Sequence, residues 1–375
     1  MNIKELAEIR RRFKVERTNI SRVRGALINE KKEVISRFDQ SLNIISEEEA
    51  EGILKTLKKV LSGSLNKQLT EISFTNQQVL DSSEHKMLSA LKASELSDDK
   101  AMGELIESIR SSYQADGNYL IIVGRDAYDV PTYGSDGNKK EDSGEMYSYV
   151  VCAICPLDMK KSTLGYKLTE NAIKNNLPDW VIGAPDAGFL FPAFDGRKTN
   201  IYNALFYNRD KKDSRAELIE ALFRREAPIA VAVQKQLFTN IFRDTIGEDC
   251  SIDVVKDIQD HLGQMIEEHK AIKDPEPLTV SKSTVSDILK DCGINEEKIT
   301  EFEDQFDRSF GEKASVSPEN LLSVKQFEVK TPEVSIKLTS DMSDLVETRV
   351  IDGQKFIMIR AEGIVEVNGV EINIK

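Results

Sequence analysis

The sequence predicts an α+β protein: a main domain of helices with antiparallel hairpins, then a small helical module and a β-rich C-terminal domain. Three observations predict it. Apolar residues recur at helical spacing in separate stretches, as in Ile3, Leu6, Ile9 and Phe13 and again in Met102, Leu105, Ile106 and Ile109. Short apolar runs flank the dipeptides Asp352-Gly353 and Asn368-Gly369, which specify type I′ hairpins. Two polar stretches, one containing Lys-Asp-Pro-Glu-Pro within Ile272–Pro277 and the other spanning Gly311–Asn320, read as linkers. The expected division is a main domain over 1–272, with a basic segment over 1–38, a linker over 273–280, a helical module over 281–311 and a β-rich domain over 321–375.

Taken in order, residues 3–14 read as a helix. Val23, Ala26 and Ile28, then Val34, Ile35 and Phe38, flank the polar run Asn29–Glu33 and predict a hairpin within 18–40. Ser46 followed by Glu49 is a capping-box pattern that opens a helix to about Leu61, where Gly63 stops it. Helices follow over 84–96 and 99–114. Tyr119–Val123 and Tyr147–Ile154 read as buried strands, separated by the long polar loop Pro131–Glu145. Phe189–Phe194 and Ile201–Tyr207 flank the turn Asp195-Gly196 and predict another hairpin, with Pro192 marking an edge strand or a bulge. Helices are predicted near 213–225, 233–246 and 251–270, and a helix pair over Ser281–Lys290 and Glu296–Phe310.

Composition excludes several classes. Lys and Arg number 51 against 64 Asp and Glu, a net charge of −13, and such a surface repels a bulk coat of nucleic acid. The N-terminus carries no secretory signal, and the longest apolar runs, Tyr119–Val123, Val150–Leu157 and Ala227–Val233, fall far short of the ~20 residues of a membrane span. The expectation is a soluble, cytoplasmic protein without membrane contact. Four cysteines do not make a disulfide framework.

Several segments together carry a family resemblance. They are Tyr119-Leu120-Ile121-Ile122 with Tyr128-Asp129-Val130-Pro131, Val151-Cys152-Ala153-Ile154-Cys155-Pro156, and Gly188-Phe189-Leu190-Phe191-Pro192-Ala193-Phe194. Near the end come Phe327-Glu328-Val329-Lys330-Thr331-Pro332, Leu345-Val346-Glu347-Thr348-Arg349 and Val365-Glu366-Val367-Asn368-Gly369-Val370. Over nearly its whole length the chain resembles the bacterial, mainly Firmicutes, domain of unknown function 4317 family. The resemblance implies a cytoplasmic bacterial protein and supplies no activity or catalytic residues, so function has to be argued from the residues.

Charge is distributed unevenly. Residues 1–38 hold eleven basic and five acidic residues, a net of +6, which leaves −19 for the remainder. A basic end on an acidic body suits a limited nucleic-acid footprint, because the planar fork of arginine pairs phosphate oxygens two at a time. Arg10, Arg11 and Arg12 splay around the first helix, while Arg22 and Arg24 share one face of a strand. The expected partner is structured RNA or the ribosome, or else an acidic protein. The same pattern fits a solvated helix and hairpin paired to the acidic body, and no aromatic RNA-recognition signature accompanies it.

A second constellation is the carboxylate group Asp126, Asp129, Asp136, Glu141, Asp142 and Glu145 around the long loop. Asp126 and Asp129, helped by Glu145, would hold Mg²⁺ or Mn²⁺ in a hydrolase or nuclease if their oxygens converged. The glycine of Asp136-Gly137-Asn138 comes too early for a calcium loop, and a solvated acidic loop accounts for the same residues. Cys152 and Cys155 have redox spacing but lie on a strand, where positions three apart face opposite sides, so they read as buried structural thiols. His261 and His269 are eight apart on one helix, too far to share a metal without another element, and His85 falls in a polar helix start. The aromatic set Trp180, Phe189, Phe191, Phe194, Tyr202, Phe206 and Tyr207 reads as a sheet face packed in the core, with an exposed groove as the alternative. The sequence contains no Gly-x-Ser-x-Gly elbow, no phosphate-binding Gly-rich loop and no His-Glu-x-x-His. The sequence therefore favours a non-catalytic binding protein using Arg10, Arg11, Arg12, Arg22 and Arg24, without a cofactor. A metal-dependent hydrolase and a multi-domain protein–protein adaptor are the competing readings.

Overall fold

In the computed structural model, residues 1–131, 145–160, 163–167, 171–176, 179–324, 326–361, 363–367 and 369–372 are described. The chain divides into two units, Met1–Ala230 and Val231–Lys375.

The first unit runs α1 (Ile3–Arg10), β1 (Arg22–Ile28), β2 (Val34–Ser41), α2 (Glu47–Lys59), β3 (Leu69–Ser73), α3 (Asn76–Asp81), α4 (Ser83–Ala93) and α5 (Asp99–Ser112). It continues with β4 (Tyr119–Val130), β5 (Glu145–Lys160), β6 (Thr163–Lys167), β7 (Ala172–Asn176), β8 (Asp179–Ile182), β9 (Ala187–Phe191), β10 (Ala193–Asp195), β11 (Lys198–Asn200), β12 (Asn203–Asn208) and α6 (Ala216–Phe223). The α2 capping box forms: Ser46 accepts from Glu49 N, and Glu49 reaches back to Ser46. Glu47–Glu49 in its first turn and Lys58 and Lys59 in its last complement the helix dipole.

The expected hairpins join one antiparallel sheet in the order β2-β1-β4-β5-β9-β12-β3, with β8 pairing the far end of β5. Because side chains alternate across a strand, β1, β3, β4, β5, β9 and β12 each feed two cores. Ile121, Val123, Cys152, Ile154, Phe189 and Phe191 face the core that includes residues of α4, α5 and α6. Ile122, Tyr147, Tyr149, Val151, Cys155 and Leu190 face the core that includes residues of α1 and α2.

The strand expected to stop at Val123 continues to Val130, so Asp126 and Asp129 lie within β4 rather than after it. The loop expected over Pro131–Glu145 lies, from residue 132 to 144, outside the described residues. Phe189–Phe194 is not one strand. Pro192, after a cis peptide bond, separates β9 from β10. Phe194 faces the core opposite that of Phe189 and Phe191, as its odd spacing from them along the chain requires. Strand β9 is interior, between β5 and β12, so Pro192 marks a break and not an edge.

The second unit holds α7 (Val231–Ile246), α8 (Ile252–Ile272), α9 (Lys282–Asp291), α10 (Glu296–Phe310) and α11 (Pro318–Leu321). The hairpins β13 (Gln326–Lys330) with β14 (Ser335–Thr339), β15 (Val346–Ile351) with β16 (Gln354–Ile359), and β17 (Val365–Val367) with β18 (Val370–Ile372) follow. The boundary falls at 230, not 272, because Phe238, Ile241 and Phe242 of α7 and Ile258 and Leu262 of α8 share one core with Val285, Leu289, Phe302 and Phe306 of α9 and α10. The two stretches expected as linkers pair with each other there: Val280 and Val316 exchange backbone hydrogen bonds of 2.8 and 2.9 Å. Asp352 and Gly353 both take positive φ, as a type I′ turn requires. Among the described residues, no helix is long and apolar enough to cross a membrane.

Candidate functional site

The basic segment and the acidic strand, expected to serve different chemistries, meet. Asp126 is fully buried on β4 and faces the α1 side of the sheet. Its carboxylate accepts from Arg12 Nε at 3.1 Å and Nη2 at 3.3 Å, from the Asn19 backbone N–H at 2.9 Å and from the Tyr149 hydroxyl at 3.0 Å. The arginine fork thus meets both oxygens, the geometry that suits a buried pair. The Arg12 guanidinium also lies 4.9 Å from the centre of the Tyr128 ring. Burial, and then the charge of Asp126, hold the Tyr149 phenol well above its ordinary pKa, so it donates and does not ionise.

The network continues along α1. Tyr128 donates to Glu8 at 2.7 Å, and Arg197 donates to Glu8 at 3.0 Å and to Pro131 O at 2.9 Å. Buried Glu5 accepts from Arg197 N at 3.0 Å. Helix α1 is therefore fastened to the sheet by polar contacts along its length as well as by Leu6 and Ile9.

The five predicted arginines separate. Arg10 donates to Leu61 O at 2.6 Å and Gly63 O at 3.0 Å, which satisfies carbonyls beyond the end of α2. Arg12 holds Asp126. Arg22 pairs with Asp39 across the β1–β2 ladder. Arg24 donates to Leu96 O and to Asp99, both at 2.6 Å, and ties down the start of α5. Arg11 is exposed, with no ion pair or hydrogen bond to its side chain among the described residues.

The three carboxylates do not converge. Asp126 is four residues along β4 from Val130, the cross-strand partner of Glu145, a spacing of about 13 Å at the strand rise. Asp129 is an odd number of positions from Asp126 and projects from the opposite face, exposed. Glu145 accepts from Thr199 N at 3.1 Å. No group of three His, Cys, Asp or Glu that could hold a metal ion occurs among the described residues. Asp136, Glu141 and Asp142 lie outside the described residues.

Cys152 and Cys155 face opposite cores, and burial pushes the Cys155 thiol up to about 12. His85 is not on a polar surface: it is buried edge-on against Phe74 and Phe191, with Nε2 3.0 Å from Ile201 O. Of the aromatic set, Trp180 and Tyr202 are exposed and the rest are buried.

Sequence reading singled out neither Arg17 nor Asn19. Arg17 is exposed, and like Arg11 its side chain has no ion pair or hydrogen bond among the described residues. Both lie on the connection between α1 and β1. That connection also walls a cavity of about 300 Å³, with Val15, Thr18, Asn19 and Ser21 on one side and Asn43 and Leu54 on the other. Arg17 counts toward the +6 of residues 1–38. Nothing local in the sequence says which arginines find acidic partners.

A two-unit α+β protein, with Arg12, Arg22 and Arg24 of its basic segment paired to its own carboxylates, is the class that fold and site define. The chain belongs to the domain of unknown function family DUF4317, which it matches over residues 1–370. No curated protein and no solved structure matches it.

Proposed function

We propose that the protein is a non-catalytic binding protein that contacts structured RNA through the connection between α1 and β1, in the bacterial cytoplasm, where the ribosome is an abundant target. One observation carries the reading. In a chain of net charge −13, Arg11 and Arg17 stay exposed without a carboxylate partner among the described residues, on a connection whose Thr18, Asn19 and Ser21 line a cavity with Asn43. Free guanidinium groups supply phosphate contacts, and the acidic remainder limits indiscriminate sticking. Of the five predicted arginines the reading keeps Arg11, and it adds Arg17.

The test is sedimentation of the full chain with ribosomal particles at low and high salt, with and without RNase. Salt-labile, RNase-sensitive co-migration that is lost in Arg11→Glu/Arg17→Glu is the expected result. Free migration of the unaltered protein under every condition would overturn the proposal.

The adaptor reading draws on a different observation. The β15–β16 ribbon pairs with no further strand among the described residues, and it exposes Val350, Ile357 and Ile359 on one face and Ile351 and Phe356 on the other. A two-stranded ribbon of this kind is marginal by itself and gains from being covered. A protein crosslinked from position 356, identified, purified and shown to bind without RNA would support this reading, provided that Phe356→Lys abolishes the binding.

A further inference from the structure

Within the second unit, α7 and α8 are joined by the short link 247–251 and diverge around a half-open cavity of about 370 Å³. Its walls are Phe238 and Phe242 from α7, Val255 and Ile258 from α8, and Leu322. The volume sits at the small end of the range for ligand pockets, and an apolar wall with few polar groups is their usual composition. Gly247, at φ +55°, forms part of the rim and sets no side chain over it. Among the described residues that line the cavity, Arg243 is the one charged group, and no carboxylate lines it. Arg243 Nε donates to its neighbour Asp244 at 3.1 Å, which leaves the two Nη groups as a free fork. Asp249, close in sequence to the rim, is already held by Lys298 at 2.7 Å.

An apolar cavity with a single guanidinium among its lining side chains complements a ligand with a hydrocarbon body and one carboxylate. A neutral apolar occupant would leave the fork unused, and a more polar one would bury its polar groups against phenylalanine and isoleucine without partners. We propose that this cavity binds a small amphipathic carboxylate of the medium-chain fatty acid class, with the chain against Phe238 and Phe242 and the carboxylate on the Nη groups of Arg243.

Cys250 provides a reporter, because it lines the cavity and is exposed, while Cys152 and Cys155 are buried and Cys292 is half-buried elsewhere. The experiment is alkylation of the full chain by iodoacetamide, followed residue by residue by mass spectrometry, in decanoate kept below its micelle concentration. Decanoate should slow Cys250 severalfold and leave Cys292 unchanged. Arg243→Gln should raise the half-protecting decanoate concentration about tenfold, the size expected for losing a charge-assisted contact. Thr239→Trp, at a lining position that is exposed, fills the cavity and should abolish protection, with circular dichroism confirming that the fold is retained. Two results would overturn the assignment: no protection of Cys250 in the unaltered chain, or equal protection by decanol and decanoate with no effect of Arg243→Gln. The second would mean that the cavity takes a neutral apolar group.

Discussion

Replacing Arg12 by methionine keeps most of the side-chain volume and removes the fork that neutralises Asp126. The carboxylate is fully buried, so what remains is a charge with only Asn19 N and the Tyr149 hydroxyl as donors. Breaking a buried pair from one side costs about 3–5 kcal/mol, and losing the guanidinium over Tyr128 adds about 0.5–1 kcal/mol. Against a typical stability of about 5–15 kcal/mol, this is a large share. The assay is urea denaturation followed by fluorescence of the sole tryptophan, Trp180, which lies in the first unit. With a slope of roughly 3 kcal/mol/M, the midpoint should fall by about 1–2 M. Asp126→Asn should be milder, and the double variant should show a coupling of about 2 kcal/mol. A loss below about 1 kcal/mol in Arg12→Met, or a coupling near zero, would refute the reasoning, because a buried carboxylate cannot lose its counter-charge at so little cost.

Gly25→Ala should be among the most damaging single changes, at about 4 kcal/mol or more, because a Cβ there would lie 1.7 Å from Ile121 O and 2.7 Å from Phe38 Cζ between paired strands; retained solubility and midpoint would count against it. In Ellman titration at pH 8, Cys250 should react first and Cys292, whose thiol burial and then Asp257 push up to about 11, more slowly; Cys152 and Cys155 should react only after denaturant. Burial, then the charges of Asp344 and Asp257, raise the Asp260 carboxyl. A raised carboxyl makes the folded state relatively more stable at low pH, and that contribution is lost as pH rises through the folded pKa, so Asp260→Asn should raise the melting temperature at pH 7 by an amount that shrinks toward pH 4.

Elements with local causes were legible in the sequence. The Ser46–Glu49 box lies within one helical turn, and the Asp352-Gly353 turn needs only two residues that tolerate positive φ. Strand identity was legible too, but strand order was not: β3 pairs with β12, more than a hundred residues downstream, and no residue of Leu69–Ser73 names that partner. The boundary at 230 was missed because the Pro-containing stretch 273–280 resembles a hinge, while the packing that binds α7 to α10 is spread over Phe238, Phe242, Phe302 and Phe306. The candidate site was half legible. Arg12 and Asp126 were both singled out, in separate chemistries, because a contact across 114 residues leaves no mark in spacing.

That contact bears on what a charge-asymmetric sequence means. A net of +6 over residues 1–38 describes the chain, not the surface, since folding spends Arg12, Arg22 and Arg24 on Asp126, Asp39 and Asp99 and Arg10 on backbone carbonyls. The RNA reading is therefore quantitative. Contacts by Arg11 and Arg17 alone would release about two counterions, so the logarithm of affinity should fall with the logarithm of salt at a slope of about 1.4–1.8. If Arg10, Arg11, Arg12, Arg22 and Arg24 all contacted phosphate, the slope would be about 3.5–4.5. Filter binding of a structured RNA across a salt series separates the two. A slope near 4 that falls in Arg12→Met would mean that Arg12 leaves Asp126 on binding, whereas one that Arg12→Met leaves unchanged would bring in the other exposed cations of the segment, Lys4, Lys31 and Arg37. A slope below 2 that Arg11→Glu/Arg17→Glu brings to near zero would assign the contact to Arg11 and Arg17.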